Sequence, residues 1–189
     1  MSRYFQNALH TAFVVPEIEK EIDRLLAIGI GPVFVMSRIR VAARYRGVRH
    51  DPLMTAAFAY SGDTLLEFLL PLDSTPSGMS EFLEKNPAGG LHHFAYFSDD
   101  FAKTLEDLRQ QGADFEVVQE YIDQNDIPYE IYIQATGDPS GLLVQLVNRG
   151  PLEQFYNSMR EIAADWDGSD PIRPAAELLP LEMRPIEEV

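Results

Sequence analysis

Two stretches of the chain share one order of apolar and polar positions, a short strand pattern followed by a helical stripe. The first strand lies at residues 8–15 and the second at residues 91–97. In each following helix, apolar residues recur at i, i+4 and i+7, and a glycine follows the last turn. The two stripes consist of Ile18, Ile22, Leu25 and Leu26, and of Phe101, Leu105 and Leu108. The sequence therefore predicts the same strand–helix unit twice.

The two units align when the sequence is shifted against itself by 83 residues. His10 then meets His93 at the start of the strand, and Gly29 meets Gly112 after the helix. A match that stays in register over a strand and a helix is typical of a duplicated module.

Further apolar runs predict three more strands in each unit. They lie at residues 33–41, 54–60 and 64–72, and near residues 115–119, 131–135 and 142–147. We therefore expect an α+β fold in which two tandem β-α-β-β-β modules form a curved eight-stranded sheet with outer helices, followed by a C-terminal extension.

The expected domain spans residues 1–149, and its boundaries follow the changes in composition. The first module is placed at residues 7–72, a linker at 73–89 and the second module at 90–149. Residues 150–189 are expected to form an amphipathic helix and a proline-rich tail. The tail either lies over the domain or a neighbouring subunit, or forms a flap over a ligand.

Composition excludes several classes of function. The 189-residue chain has no cysteine, so neither a disulfide nor a thiolate can contribute, and this suits a reducing cytoplasm. A net charge of −15 opposes binding to nucleic acid. The N-terminal residues lack an apolar signal core, and the longest uncharged apolar run is too short to span a bilayer. We expect a cytoplasmic protein with no membrane or nucleic-acid partner.

The pair His92-His93 opens the first strand of the second unit, after Gly89-Gly90. Because side chains alternate across a strand, one histidine should face the interior and its neighbour should face away. A buried histidine is either a hydrogen-bonded core residue or a metal ligand or acid/base group. The matching His10 in the first unit favours the second interpretation for His93.

Each unit ends in an apolar strand with one polar residue at its centre, Glu67 in the first and Gln145 in the second. A carboxylate buried among leucines is costly unless a charged partner or a cation accompanies it. We therefore predict that His10, Glu67, His93 and Gln145 converge near a pseudo-twofold axis and bind one divalent metal ion.

These features resemble the vicinal oxygen chelate superfamily, which includes glyoxalase I, epimerases, extradiol dioxygenases and bleomycin-resistance proteins. The resemblance is closest to the methylmalonyl-CoA epimerase-like branch, through residues 90–95 and 67–72. It implies metal ligands at His10, Glu67, His93 and Gln145. Such mixed nitrogen and oxygen ligation suits Zn, Co, Ni, Mn or Fe(II).

The chain departs from the epimerase pattern in two ways. Epimerases carry Gln at the position of Glu67 and Glu at that of Gln145, so the acid and the amide are exchanged here. The strand at residues 54–60 also lacks the Glu expected as a second base. We treat Glu67 and Gln145 as candidate catalytic residues, and the alternative bases are Tyr60, Glu130 and Tyr132.

An arginine-rich arm, Arg38, Arg40, Arg44, Arg46 and Arg49, interrupts an otherwise acidic sequence. It is interpreted either as a clamp for a carboxylate or CoA phosphates, or as an exposed edge or an arm that pairs with an acidic partner subunit. Arg38 and Arg40 are expected to share a strand face. The predicted substrate-binding residues are Arg38, Arg40, Tyr60 and Tyr132.

The leading hypothesis is a metal-dependent lyase or isomerase that stabilises an enolate of a small carbonyl or acyl-thioester substrate, anionic or CoA-linked. An Fe(II)-dependent dioxygenase is the second hypothesis, because two histidines and one carboxylate form its usual ligand set. A non-catalytic protein that binds small molecules is the third. A homodimer is expected in each case.

Overall fold

The computed structural model describes residues 5, 7–180 and 186–187 of the chain. The strands are β1 (His10–Val14), β2 (Val33–Arg40), β3 (Ala43–Tyr45), β4 (Val48–His50), β5 (Leu53–Ser61), β6 (Thr64–Pro71), β7 (Gly90–Ser98), β8 (Phe115–Ile122), β9 (Pro128–Ala135), β10 (Leu143–Asn148), β11 (Ile172–Pro174) and β12 (Ile186–Glu187). The helices are α1 (Ile18–Ala27), α2 (Gly78–Lys85), α3 (Phe101–Gln110) and α4 (Arg149–Ala164). A 3₁₀ turn spans Ala176–Leu178.

The strands form one sheet in the order β11-β2-β5-β6-β1-β7-β10-β9-β8-β3-β4, and β12 pairs with β2. The two halves repeat one arrangement, β2-β5-β6-β1 in the first and β8-β9-β10-β7 in the second. They meet at an antiparallel pairing of β1 with β7. The α+β class and the duplicated strand order predicted from the sequence are therefore confirmed.

The described sheet has 12 strands, which are the eight predicted for the two modules and four that were not predicted. The additional strands are short and lie at the two edges of the sheet. Backbone pairing with a neighbouring strand holds each of them in place, and their sequences show no apolar alternation that would have predicted them. Strands β3 and β4 form a hairpin within the arginine-rich arm, and β3 pairs with β8. Strand β11 comes from the C-terminal tail and runs parallel to β2.

The β3–β4 hairpin also explains the curvature of the sheet. Strand β2 lies near one end of the strand order and β3 near the other, yet only Val41 and Ala42 separate them along the chain. The sheet must therefore curl until its two ends approach. The inner face of this curl encloses a cavity.

The helices divide between the two faces of the sheet. On the outer face, α1 buries Ile18, Ile22 and Leu25 against Ala57, Ala59 and Phe68. Leu105 and Leu108 of α3 pack in the same way on the second half. Helix α4 packs on the inner face and closes one side of the cavity. Within the described part of the chain, no helix is both long enough and apolar enough to cross a bilayer.

The C-terminal segment is fixed to the domain by several contacts. The backbone N–H of Val33 donates to Pro171 O at 2.8 Å, and that of Ala175 donates to Val35 O at 2.9 Å. The Tyr60 hydroxyl donates to the carbonyl of Tyr156 in α4 at 3.2 Å. Of the tail, residues 181–185 and 188–189 lie outside the described part of the chain.

Gly89 allows β7 to start directly beside the end of β1. Its φ is +74°, and an added Cβ would lie 2.6 Å from the carbonyl oxygen of Val14. Gly47 has a similar φ of +80° but open space around the added Cβ. The two glycines therefore share a left-handed backbone but differ in their surroundings.

We expect Gly89→Ala to lower the free energy of unfolding by about 2–5 kcal/mol, because the left-handed strain adds to a clash with rigid backbone. Gly47→Ala, the matched control, should cost about 1–2 kcal/mol, the backbone strain alone. Urea unfolding of both variants measures the difference. An equal loss of unfolding free energy in the two variants would contradict the close approach of Gly89 to Val14.

Candidate metal centre and cavity

The register of the four central strands brings the predicted cluster together. Ala12 of β1 lies opposite His93 of β7 and, on its other side, opposite Glu67 of β6. Ala95 of β7 lies in the same way opposite His10 of β1 and Gln145 of β10. Both alanines are fully buried. Their small side chains leave space above the sheet, and the four larger side chains meet in that space.

Four donor atoms converge there. His10 Nε2 lies 3.2 Å from His93 Nε2. Glu67 Oε2 lies 3.1 Å from His10 Nε2 and 3.3 Å from His93 Nε2. Gln145 Oε1 lies 3.1 Å from His93 Nε2. Ligand atoms about 2.0–2.2 Å from a common divalent ion are separated by about 3.0–3.5 Å, so these spacings fit such an ion.

Glu67 provides a second test of the fit. It is 6% exposed, and no described residue donates a hydrogen bond of normal geometry to its Oε2 atom. Burial by itself raises the pKa of Glu67, but its interactions with the rings of His10 and His93 outweigh this and hold the pKa well below its usual range. The carboxylate is thus ionised and faces two imidazole nitrogens. One cation at this point would satisfy all three groups.

The orientation of the Gln145 amide is set by its neighbours. Its Nε2 donates to Glu130 Oε2 at 2.8 Å and to the Tyr132 hydroxyl at 2.7 Å. The amide oxygen therefore faces His93 and the cluster. The Tyr132 hydroxyl in turn donates to Glu130 Oε2 at 3.2 Å.

Glu130 is a second carboxyl group beside the cluster, and it is partly buried in the wall of the cavity. Burial and the negative charge of Glu67 raise the pKa of Glu130 to about 8, although the hydrogen bonds from Gln145 and Tyr132 oppose the shift. The two carboxyl groups are therefore driven in opposite directions, Glu67 towards ionisation and Glu130 towards retention of a proton. Such a division is typical of sites that move protons.

The strict alternation predicted for the histidine pair was wrong. A β-bulge occurs where Ala12 pairs with His93 but Phe13 pairs with Leu91, so His92 is the extra residue. Both histidines are buried, and their Nδ1 atoms lie 2.9 Å apart. If Nε2 of His93 faces a metal, its Nδ1 carries the proton and donates to Nδ1 of His92. Burial, together with His93, lowers the pKa of His92 to about 3, so its ring stays neutral and can accept.

A cavity of about 490 Å³ opens beside the cluster on the inner face of the sheet. Glu67, Glu130, Tyr132 and Tyr156 line it, and much of the remaining wall is apolar. The Tyr156 ring lies 5.7 Å from the His10 ring. Of the cluster, Glu67 faces the cavity, whereas His10, His93 and Gln145 lie behind its wall.

The predicted substrate-binding residues are separated by the fold. Arg40 and Tyr132 line the cavity, whereas Arg38 and Tyr60 are not among its lining residues. The register of β2 shifts between Met36 and Ile39, and Arg38 has a φ of +50°. The shift breaks the alternation that was expected to place both arginines on one face, and Arg38 is exposed.

The arginine-rich arm is largely neutralised by acids of the same chain. Arg40 pairs with Asp73 and Arg44 with Glu120, at 3.1 and 2.7 Å. The remaining pairs are Arg46 with Glu81 and Glu116, and Arg49 with Asp126. These contacts fasten the β3–β4 hairpin to β8, α2 and the loop before β9.

Helix α4 contributes to the cavity wall in a way that the sequence pattern did not predict. Leu152, Phe155 and Tyr156 line it, and Leu179 of the tail does so as well. The amphipathic stripe of α4 marked these residues as buried, but no local pattern indicated which face of the sheet they cover.

The fold and the cluster define a duplicated β-α-β-β-β protein with a candidate metal centre between its halves. The model of the Glyoxalase/Bleomycin resistance protein/Dioxygenase superfamily matches residues 9–129. The chain therefore belongs to this superfamily, as the resemblance implied.

Individual relatives are similar over part of the chain. An ethylmalonyl-CoA/methylmalonyl-CoA epimerase of Cereibacter sphaeroides is 40% identical over 63 residues, which cover 33% of this chain and 46% of that protein. Methylmalonyl-CoA epimerase of Mycobacterium tuberculosis superposes with a TM-score of 0.52 at 17% identity, over 78% of this chain and 91% of that one. A hypothetical protein of Bacillus halodurans superposes with a TM-score of 0.51 at 15% identity, over 75% of this chain and 93% of that one. The two structures support the fold.

We expect His10→Ala and His93→Ala to lower the affinity for a divalent ion at least about 100-fold, because each removes one donor atom from the cluster. His50→Ala, in the β4 strand outside the cluster, is the matched control and should retain the affinity. Elemental analysis of the purified proteins and chelator competition measure this. Unchanged metal content in both cluster variants would contradict a site between the halves.

We expect His92→Leu to weaken Zn²⁺ binding about 10–100-fold, because Nδ1–H of His93 then loses its acceptor. His92→Asn places an amide oxygen near the position of Nδ1 and should restore most of the affinity. Long-range ¹⁵N NMR of His93 in the metal-free protein reports its tautomer. An Nδ1–H tautomer that persists unchanged in His92→Leu would contradict the orienting role.

Proposed function

We propose that this protein is a divalent-metal-dependent isomerase that removes and returns the proton beside the carbonyl of a CoA-linked acyl thioester. The observation that carries the proposal is the position of Glu130, a carboxyl group of raised pKa in the wall of the cavity beside the His10–Glu67–His93 cluster. The epimerase of Cereibacter sphaeroides supports the choice of thioester.

His10, His93, Glu67 and Gln145 are the proposed ligands. When bound, a divalent ion supplies Lewis-acid polarisation of a carbonyl oxygen. Two neutral imidazoles, one carboxylate and one amide oxygen leave a positive net charge at the site, which favours an oxyanion over the neutral carbonyl.

Glu130 is the proposed base. Glu67 faces both imidazoles and is better placed as a ligand, whereas Glu130 Oε2 accepts hydrogen bonds from the Gln145 amide and the Tyr132 hydroxyl. Its ionised carboxylate takes the α-proton, and the electron pair of the C–H bond moves to the carbonyl oxygen as an enolate. Return of this proton by Glu130 restores the starting configuration, whereas a proton that solvent delivers to the opposite face of the enolate inverts it.

Gln145 and Tyr132 are the proposed positioning residues. They fix one oxygen of Glu130 and leave the other for the substrate. A general base held in this way contributes about 10²–10⁴-fold in rate.

An Fe(II)-dependent dioxygenase is the second candidate, and the two-histidine, one-carboxylate cluster favours it. Gln145 as a fourth donor and Glu130 as an adjacent base favour the isomerase. Oxygen uptake with a catechol and the iron-loaded protein separates the two candidates.

We expect Glu130→Gln to slow exchange of the α-proton of methylmalonyl-CoA about 10²–10⁴-fold, because an amide cannot accept the proton. The loss of the α-proton signal in D₂O, followed by ¹H NMR, measures the rate, and metal content should be unchanged. Glu116→Gln, on the exposed face of β8, is the matched control and should retain the rate. Full activity of Glu130→Gln would exclude Glu130 as the base.

A further inference from the structure

The cavity is larger and more apolar than a methyl or ethyl group requires. Its volume of about 490 Å³ falls in the range of pockets that enclose drug-sized ligands. Apart from the polar groups at the cluster, the wall includes Met36, Met54, Phe58, Leu152, Phe155 and Leu179. A substrate with only a short side chain would leave much of this apolar surface uncovered.

Away from the cluster and Glu130, the charged side chains that line the cavity already have partners. Arg40 pairs with Asp73 at 3.1 Å and Arg49 pairs with Asp126. The Asp123 carboxylate accepts hydrogen bonds from the backbone N–H groups of Asn125 and Ile127, at 2.8 and 2.9 Å. The cavity therefore presents apolar surface between the cluster and these paired charges.

The C-terminal segment supplies a fixed part of the apolar wall. Phe155 packs edge-to-face on Phe58 of β5, with ring centroids 5.8 Å apart. Leu152 and Phe155 are 3% and 2% exposed, and Leu179 is 9% exposed. The family model ends at residue 129, so all three residues lie beyond the matched range. This wall is thus a property of the chain outside that range.

We propose that α4 and Leu179 form a specificity pocket that selects acyl thioesters with a bulky apolar group at the carbon beside the carbonyl. The reaction in this proposal is that of the proposed function, on which it rests, whereas the preference for a bulky group rests on the residues of the cavity wall. Burying a substituent against this wall removes its apolar surface from water, and the resulting gain in affinity grows with each methylene group. With the malonyl thioester taken from the similar ethylmalonyl-CoA/methylmalonyl-CoA epimerase, the preferred substrates are 2-alkylmalonyl or 2-arylalkylmalonyl thioesters of CoA.

The test compares hexylmalonyl-CoA with methylmalonyl-CoA. We expect the kcat/KM of α-proton exchange to be at least about tenfold higher for hexylmalonyl-CoA. Calorimetry with the metal-free protein should give the same order of affinity. Phe155→Ala and Leu179→Ala should each lower the ratio of the two kcat/KM values several-fold. If one of these variants fails to fold, the other still tests the proposal. Leu108→Ala, on the outer helix α3, is the control and should keep the ratio.

The two proposals can fail separately. If methylmalonyl-CoA exchanges its proton as fast as hexylmalonyl-CoA and binds as tightly, the specificity pocket is refuted while the proposed function stands. If neither thioester exchanges, the proposed function fails, and the affinities for the metal-free protein still decide whether the pocket prefers the bulky group. If Phe155→Ala and Leu179→Ala weaken both thioesters equally, the cavity holds the pantetheine arm instead and the proposal is overturned.

Discussion

The convergence of four polar side chains on one point depends on the register between β1, β6, β7 and β10. Two buried alanines, Ala12 and Ala95, occupy the positions between these side chains and leave room above the sheet. A slip of one residue in any of these strands would turn its donor to the outer face. The antiparallel β1–β7 pairing is therefore both the joint between the halves and the framework of the site.

The duplicated halves have diverged in charge at equivalent positions. Glu67 of the first half corresponds to Gln145 of the second, and each lies opposite an aromatic residue on the next strand, Phe58 or Tyr132. Two residues earlier on those strands, the first half carries Ala56 and the second carries Glu130. The acid of the cluster and the second carboxyl group thus come from different halves. Burial and the negative charge of Glu67 raise the pKa of Glu130, while Glu67 stays ionised.

The cavity exists because the sheet closes on itself and the C-terminal segment covers it. The β3–β4 hairpin links β2 to β8 through ion pairs such as Arg44 with Glu120. Helix α4 then adds Leu152, Phe155 and Tyr156 to the inner face. These elements place an apolar surface next to a polar cluster, and this contrast underlies both proposals on substrate.

The sequence by itself determined the repeated modules, the class of fold and the four residues of the cluster, because helical stripes, strand alternation and a shift of 83 residues are local or repeated patterns. Only the tertiary structure decided which side chains meet. It placed Glu130 rather than Tyr60 beside the cluster and separated Arg38 from Arg40. It also turned His92 towards His93 through a bulge and brought α4 onto the inner face. Each of these outcomes depends on register or on edge pairing between distant segments, and hydrophobic periodicity carries no information about either.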